Sequence, residues 1–336
     1  LTIVRIEGSA QNADKIIYNQ YQSKYDFIGG SFVIDTGISQ VGLKRAFLIW
    51  ANNLQPDTLK RFITLSEHDP GLNFLTKQGM PGFTNGNVKT LFPKKIIKSK
   101  YAHVYYLLAY VLNSNHPIIN STGTSFLVNS SPVIYKIDGN TLNPIWVSRI
   151  HLSNITPNNI KTIIEYNDII ETSDKNLVLA GKYAKNANSK ESVLATKLDF
   201  ITGGLIWYYY YNFGQTCNES ANSLAETTDG KLSLTGYVRK CTAPSLTGSN
   251  DAFYAELKPT GAPVIGTYQR YFWPANLDLW ADKITLYTAS SGNDRLIISG
   301  YIDIPVTGTT AFNRQILIMN VKQTGGIIST HHIGDP

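Results

Sequence analysis

Short apolar stretches recur along the chain, and each ends in a small residue, usually glycine, followed by an aromatic or aliphatic residue. Polar turns flank every stretch, and none continues with the period of a helix. Strands that are buried on both faces are nearly continuous in apolar residues rather than alternating. Each stretch therefore predicts a central strand of a β-sheet. The five stretches are Tyr25–Val33, Tyr106–Leu112, Leu177–Ala184, Leu232–Val238 and Leu296–Ile302.

Other strands surround each of these stretches in the same order. A shorter strand precedes it, joined through turns such as Asp229-Gly230, and two further strands follow it. Asp and Gly stabilise such tight turns, so the unit predicts an up-and-down meander of four strands. The strands that follow the five stretches are predicted at residues 46–51, 133–138, 193–199, 252–258 and 316–322.

The repeat predicts an all-β fold of β-propeller class. A single four-stranded sheet cannot bury both of its faces, whereas sheets stacked around an axis can, with about 4–8 blades. A solenoid of sheets is the competing geometry. We predict one β-propeller domain over residues 1–336, with four-stranded antiparallel blades, five visible repeats and five to seven blades in total. The blades are predicted at residues 9–64, 88–151, 160–214, 217–273 and 278–333, with residues 1–8 as a ring-closing strand.

Composition excludes several other classes. Charged residues make up 16% of the 336 residues and aromatic residues 11%, which is unlike a disordered chain or a coiled coil. The net charge of +6 is modest, and the densest lysine cluster, from Lys94 to Lys100, is interpreted as a solvated strand flank. We therefore predict no nucleic-acid partner. No apolar run approaches the roughly 20 residues of a membrane span, so no membrane insertion is predicted.

The two cysteines, Cys217 and Cys241, predict a disulfide. Each lies twelve residues from Asp229, at the centre of a predicted hairpin, so their side chains come to facing or nearly facing positions. Two free buried thiols are the alternative. A structural disulfide favours an oxidising compartment, and we predict an extracellular, secreted or cell-surface protein. Candidate glycosylation sites that agree with this location are Asn120, Asn129, Asn154 and Asn218.

Two sets of motifs resemble known repeats. Residues 250–273, which begin NDAFYAELKPTG, and the hairpins TDGKLSLTGY at 228–237 and NDRLIISGY at 293–301 resemble secreted bacterial β-propeller repeats (SBBP-like repeats). The turns DGNTLNPIW at 138–146 and DFITGGLIW at 199–207 resemble those of quinoprotein-like propellers. The resemblance implies architecture rather than activity. The vicinal cysteine pair common in quinone-dependent members is absent, so no cofactor is predicted.

Motifs for catalysis or metal binding are missing from the sequence. The six histidines have no metal-ligand spacing, and the chain lacks the G-x-S-x-G, P-loop and EF-hand patterns. Carboxylates concentrate at predicted turns, where Asp stabilises the backbone. We therefore nominate no catalytic residue, metal ligand or cofactor-binding residue from the sequence.

The aromatic run from Trp207 to Tyr211 is the most conspicuous candidate surface. Alternate side chains of a strand point to opposite faces, so Trp207, Tyr209 and Tyr211 share one face. That face would either pack between blades or bind a sugar or a protein. The candidate binding platform comprises Trp207, Tyr209 and Tyr211 together with Tyr271 and Trp273 in the next unit.

These features predict a non-catalytic extracellular or cell-surface module with a structural, adhesive or interaction role within a larger assembly. Its predicted partners are proteins or glycans at the cell surface, or further copies in a homo-oligomer or filament. The alternative is a secreted enzyme that acts on polysaccharide or another polymer, with its site at the central channel. Converging carboxylates would favour the enzyme, and a channel of apolar and amide side chains would favour the module.

Overall fold

The chain forms two compact units, Leu1–Ser153 and Asn154–Pro336. The elements below come from a computed structural model, and in the part of the chain that it describes no helix is long and apolar enough to span a membrane. The structure describes residues 32–35, 45–53, 61–68, 74–79, 89–113, 130–150, 163–184, 190–213, 218–239, 250–272, 277–288, 294–305 and 312–334.

The first unit contains two four-stranded antiparallel sheets, each a simple meander. Sheet 1 consists of β1 (Phe32–Asp35), β2 (Arg45–Asn53), β3 (Arg61–His68) and β4 (Phe74–Gly79). Sheet 2 consists of β5 (Lys89–Lys98), β6 (Val104–Asn113), β7 (Ser130–Asp138) and β8 (Pro144–Arg149).

The second unit contains three sheets with the same strand order. Sheet 3 consists of β9 (Ile163–Glu171), β10 (Leu177–Ala184), β11 (Ser192–Leu198) and β12 (Leu205–Tyr211). Sheet 4 consists of β13 (Glu219–Glu226), β14 (Leu232–Arg239), β15 (Asn250–Leu257) and β16 (Gln269–Tyr271). Sheet 5 consists of β17 (Asp278–Thr288), β18 (Asp294–Pro305), β19 (Phe312–Lys322) and β20 (Ile327–Ile333).

Apolar cores between successive sheets hold the second unit together. One cluster joins sheets 3 and 4 through side chains such as Val178 and Leu234, and another joins sheets 4 and 5 through Tyr254 and Leu296. The predicted central stretches are the second strands of sheets 2 to 5. In sheets 2 to 4 they are buried as expected for strands covered on both faces, whereas in sheet 5 buried residues such as Leu296 and Ile298 alternate with partly exposed ones. The predicted all-β fold of β-propeller class with four-stranded antiparallel blades is confirmed.

Sheet 1 lies later in the chain than the predicted blade at residues 9–64. It runs from Phe32 to Gly79, so β3 and β4 extend past residue 64, where the predicted blade ends. The sequence of β4, FLTKQG, is largely polar. A strand at a sheet edge pairs on one side only and often carries lysine, so it needs no apolar run. The predicted ring-closing strand at residues 1–8 lies outside the described residues.

The first strand of each sheet from 2 to 5 has a β-bulge, and the bulge explains the small residue of the repeat. Two residues of the first strand face one residue of the second, with Lys94, Asn167, Asn222 or Asp282 as the extra residue. Beside each bulge lies the small residue of the second strand, which is Ala109 in sheet 2 and glycine in the other three.

The three glycines have no room for a side chain. A Cβ added to Gly181, Gly236 or Gly300 would lie 1.8, 1.9 or 1.8 Å from a carbonyl oxygen of the adjacent first strand. Sheet 2 accommodates the single methyl group of Ala109 at the same position. The glycine of the repeat is therefore required by the close approach of two backbones beside the bulge, not by a turn.

The bulged residues of sheets 3 and 4 connect the sheets. The Asn167 amide donates to the Ala221 carbonyl of sheet 4 at 2.9 Å, and the Asn222 amide donates to the Ala281 carbonyl of sheet 5 at 3.0 Å. An asparagine at the bulge thus bonds the first strand of sheet 3 to that of sheet 4, and another bonds the first strand of sheet 4 to that of sheet 5. These three first strands therefore lie side by side at the inner edges of the stacked sheets.

Tyrosines at the outer edges form a second repeated connection. The Tyr211 hydroxyl donates to the Gly261 carbonyl of sheet 4, and the Tyr271 hydroxyl donates to the Gly325 carbonyl of sheet 5, both at 2.6 Å. Gly261 and Gly325 have φ angles of 86° and 84°, which favour glycine in the turn before the last strand. Successive sheets are therefore bonded at their inner and outer edges.

Replacing Gly236 by alanine tests the close approach beside the bulge. Because the new methyl group would collide with the Ser220 carbonyl, we expect Gly236→Ala to lower the free energy of unfolding by about 2 kcal/mol, measured by urea denaturation. Gly326→Ala is the matched control, since an added Cβ there would lie 3.8 Å from the Lys322 side chain, an ordinary contact distance. Equal stability of the two variants would contradict this explanation of the repeat.

Candidate functional site

Two glutamates and a lysine meet at one end of sheet 3. The Lys182 ammonium lies 2.8 Å from Glu191 Oε1 and 3.5 Å from Glu165 Oε2. Glu165 comes from the first strand, Lys182 pairs with it from the second, and Glu191 immediately precedes the third. The three side chains are only 18–25% exposed, so their charges act on one another with limited screening by solvent.

Sheet 4 completes this cluster. The Tyr237 hydroxyl donates to Glu191 Oε2 at 3.3 Å, and the Glu191 amide donates to the Asn218 side-chain oxygen at 3.1 Å. The Tyr237 ring also contacts Trp280 of sheet 5, with ring centroids 4.7 Å apart. We call Glu165, Lys182, Glu191 and Tyr237 the carboxylate cluster.

The pKa values in the carboxylate cluster fix two protonation states. Burial raises the pKa of Tyr237 to about 12, and the charge of Glu191 adds to this effect, so the phenol is a neutral donor near pH 7. Burial lowers the pKa of Lys182, but the nearby Tyr237, Glu165 and Glu191 outweigh it and raise the pKa above its ordinary value. Lys182 is therefore an ammonium ion held between two carboxyl groups.

A second polar group lies deeper, at the inner strands. The Asp168 carboxylate, only 1% exposed, accepts bonds from the Ser223 hydroxyl at 2.6 Å and the Leu224 amide at 3.1 Å. Lys283 Nζ lies 3.4 Å from the same oxygen. Asp168, Ser223 and Lys283 each follow the bulge of their own sheet. One carboxylate therefore bonds to both of the following sheets, which marks it as a structural connection.

The predicted aromatic platform contacts sheet 4, although Tyr209 stays 45% exposed. Gly261 of sheet 4 lies so close to Tyr209 and Trp207 that an added Cβ would be 2.6 Å from Tyr209 Cδ2. Tyr211 is buried. Tyr271 is also buried, against sheet 5, and Trp273 lies outside the described residues. The opposite face of β12 carries Tyr208 and the exposed Tyr210, which the platform did not include.

Five other predicted site residues lie outside the described residues: Cys217, Cys241, Asn120, Asn129 and Asn154. The disulfide and these three glycosylation sites therefore stay predictions. The hairpin of β13 and β14, predicted between the cysteines, is present. Asn218 is described, and its side chain bonds to the Glu191 amide. Over the described ranges, no group of three His, Cys, Asp or Glu side chains could hold a metal ion.

Sequence reasoning missed the carboxylate cluster because its members come from separate strands. One signal was present: the residue after the repeat glycine is tyrosine at positions 237 and 301 but lysine at position 182. A charged residue in a largely buried repeat position needs a partner. The strand register that supplies Glu165 and the approach of Glu191 are not visible in the sequence.

Solved structures that resemble the chain include several carbohydrate-active enzymes. An endo-arabinase from Bacteroides thetaiotaomicron has a TM-score of 0.35 and 14% identity, over 81% of this chain and 88% of that chain. The polysaccharide lyase Uly1 has a TM-score of 0.46 and 13% identity, over 95% and 76%. A mutant sialidase of Trypanosoma rangeli has a TM-score of 0.45 and 14% identity, over 97% and 54%.

These comparisons correct our main functional prediction. The non-catalytic structural, adhesive or interaction module is contradicted, because the similar structures carry the names of an endo-arabinase, a family-43 glycoside hydrolase, a polysaccharide lyase and a sialidase. The alternative of a polysaccharide-acting enzyme agrees with them better. No family model and no curated protein matches the chain, so the resemblance to secreted bacterial propeller repeats stays a prediction. No residue role is transferred from structures this distant.

Replacing Asp168 by asparagine tests the connection between the inner strands. The variant leaves Lys283 without its buried anion and weakens the bonds from Ser223 and Leu224, so we expect the free energy of unfolding to fall by about 2–3 kcal/mol in urea denaturation. Lys283→Met leaves the buried carboxylate with neutral donors but without this cation, so it should also lower the free energy of unfolding, by more than about 1 kcal/mol. A similar small loss for both variants would show that the carboxylate does not join the sheets.

Proposed function

We propose that this chain is an extracellular enzyme that hydrolyses the glycosidic bonds of a polysaccharide. The observation that carries the proposal is the pair of glutamates on one lysine, with Glu191 also accepting a bond from Tyr237. Two carboxyl groups on either side of the scissile bond are the usual machinery of glycoside hydrolysis. The oxidising compartment that the two cysteines predict is where an enzyme on external polysaccharide would act.

The contacts suggest different roles for the two glutamates. Glu191 accepts bonds from two donors and is held by its own backbone amide, so it is the candidate nucleophile or general base. Glu165 has the longer contact to Lys182 and is the candidate general acid, which would protonate the leaving oxygen as the glycosidic bond breaks. The attacking group, Glu191 or a water that it deprotonates, forms the new bond at the anomeric carbon.

Lys182 and Tyr237 position the carboxyl groups in this proposal. The ammonium lies beside both carboxyl groups and offsets part of their negative charge, so both can lie close together in a half-buried site. The neutral phenol fixes the second oxygen of Glu191. Both residues act through the glutamates, so replacing either should lower activity less than replacing a glutamate does.

The proposal predicts loss of hydrolysis in the glutamine variants of both glutamates. On a panel of neutral and acidic polysaccharides, the unmodified protein should release reducing ends from at least one. Glu165→Gln and Glu191→Gln should lower kcat on that substrate by at least about 100-fold, because glutamine neither transfers a proton nor attacks the sugar.

Glu226→Gln is the matched control. Glu226 accepts bonds from Ser173 at the other end of the strands, so its variant should keep full activity. Three results would contradict the proposal: no polysaccharide of the panel releases reducing ends, the glutamine variants stay active, or the products carry the ultraviolet absorbance of an unsaturated sugar, which indicates elimination instead of hydrolysis. Thermal unfolding of each variant, compared with that of the unmodified protein, shows whether a loss of activity comes from misfolding.

A further inference from the structure

A pair of stacked tyrosines lies at the surface of sheet 3. The rings of Tyr183 on β10 and Tyr210 on β12 are 5.4 Å apart between centroids, with an angle of 25° between their planes. Tyr210 is 63% exposed, so much of its surface faces solvent. Between the two strands, Tyr183 pairs with the small residue Ser192 of β11, which lets the rings meet across that strand.

This pair differs from the platform that the sequence suggested. Side chains alternate along β12, so Tyr208 and Tyr210 lie on the face opposite to Trp207, Tyr209 and Tyr211. The latter face contacts the turn at Gly261 of sheet 4, which covers Tyr211 and leaves Tyr209 partly exposed. Burial and the neighbouring Tyr210 and Tyr208 raise the pKa of Tyr183, in keeping with a cluster of three phenols.

The strand that carries Tyr210 is uncharged. From Ile201 to Phe213 the sequence contains no Asp, Glu, Lys or Arg. A phenol offers an apolar ring face together with a hydroxyl group. A neutral sugar ring offers the matching combination, with C–H groups on its face and hydroxyls at its edge. This strand offers no cation to an acidic polymer, so its composition favours a neutral ligand.

The pair also lies at the same end of sheet 3 as the carboxylate cluster. Tyr183 directly follows Lys182 on β10, and their side chains point to opposite faces of the sheet. A polymer extends far beyond the bond that is cleaved, so a contact outside the reacting site adds affinity without taking part in the reaction.

We propose that Tyr183 and Tyr210 form a secondary binding site for neutral polysaccharide, separate from the carboxylate cluster. The proposal rests on the proposed function for the class of ligand, but the binding itself requires no catalysis. Tyr210 contributes the exposed ring on which a sugar stacks, and Tyr183 holds that ring in position from behind.

Affinity electrophoresis in native gels tests this site, with Glu191→Gln as the parent protein so that the ligand is not degraded. The gels contain xylan, arabinan or a β-glucan as neutral probes, or polygalacturonate as an acidic probe. We expect at least one neutral probe to retard the parent, and Tyr210→Ala and Tyr183→Ala to weaken that retention about two- to tenfold.

Tyr287→Ala is the matched control, because Tyr287 is also exposed, at 56%, and lies on another sheet. Its retention should equal that of the parent. The proposal is overturned if no neutral probe retards the parent, if polygalacturonate retards it more strongly, or if all three tyrosine variants behave alike. It is also overturned if Tyr210→Ala changes the molecular mass in solution without changing retention, which would mark the pair as a contact between copies of the chain.

The two proposals can fail separately. Retention that depends on Tyr183 and Tyr210, with no cleavage of any polysaccharide by the unmodified protein, would leave the binding site standing and remove the hydrolase. Cleavage that depends on Glu165 and Glu191, with retention unchanged in the tyrosine variants, would support the hydrolase and remove the binding site.

Discussion

The close approach of the inner strands in the second unit is the constraint on which the other features depend. Each first strand has a bulge, and the glycine beside it in the second strand leaves room for a carbonyl of the bulged strand. This approach brings Asn167 and Asn222 within hydrogen-bond distance of the next sheet and places the Asp168 carboxylate among donors from sheets 4 and 5. Because these groups are largely buried, each unmade bond would cost the desolvation of a polar group.

The candidate site follows from the same geometry. The residue after the repeat glycine lies one step beyond the bulge, where the stacked sheets remain close but solvent begins to enter. At that position sheet 3 presents Lys182 and sheet 4 presents Tyr237. Glu191 lies within reach of both because its backbone bonds to Asn218 and Glu219 at the start of sheet 4. The rigid strands thus fix groups whose chemistry requires a defined separation.

The fold could be predicted further than the site because burial leaves a pattern in the sequence. The second strands of sheets 2 to 4 are covered on both faces, so their apolar runs identify them directly. Sheet 1 is displaced from its predicted position because the outer strand β4 is polar, as an edge strand can be. The repeat glycine was visible in the sequence, but its reason, the bulge opposite it, depends on pairing between strands.

The carboxylate cluster and the tyrosine pair illustrate the limit. Glu165 and Lys182 are seventeen positions apart, and Tyr237 comes from another sheet, so only strand register and sheet stacking bring them together. The run of tyrosines in β12 was conspicuous, yet its sequence does not say which face the next sheet covers. The structure places Trp207 and Tyr209 against the turn at Gly261 and leaves Tyr210 exposed.

Native-state hydrogen exchange on the unmodified protein tests most directly whether the inner strands join the three sheets of the second unit. If Asp168 and the bulged asparagines connect them, the amides of β9, β13 and β17 should become exposed to exchange together, at one concentration of denaturant and with one free energy of opening. Sheets that open one after another, each with its own free energy, would contradict the account.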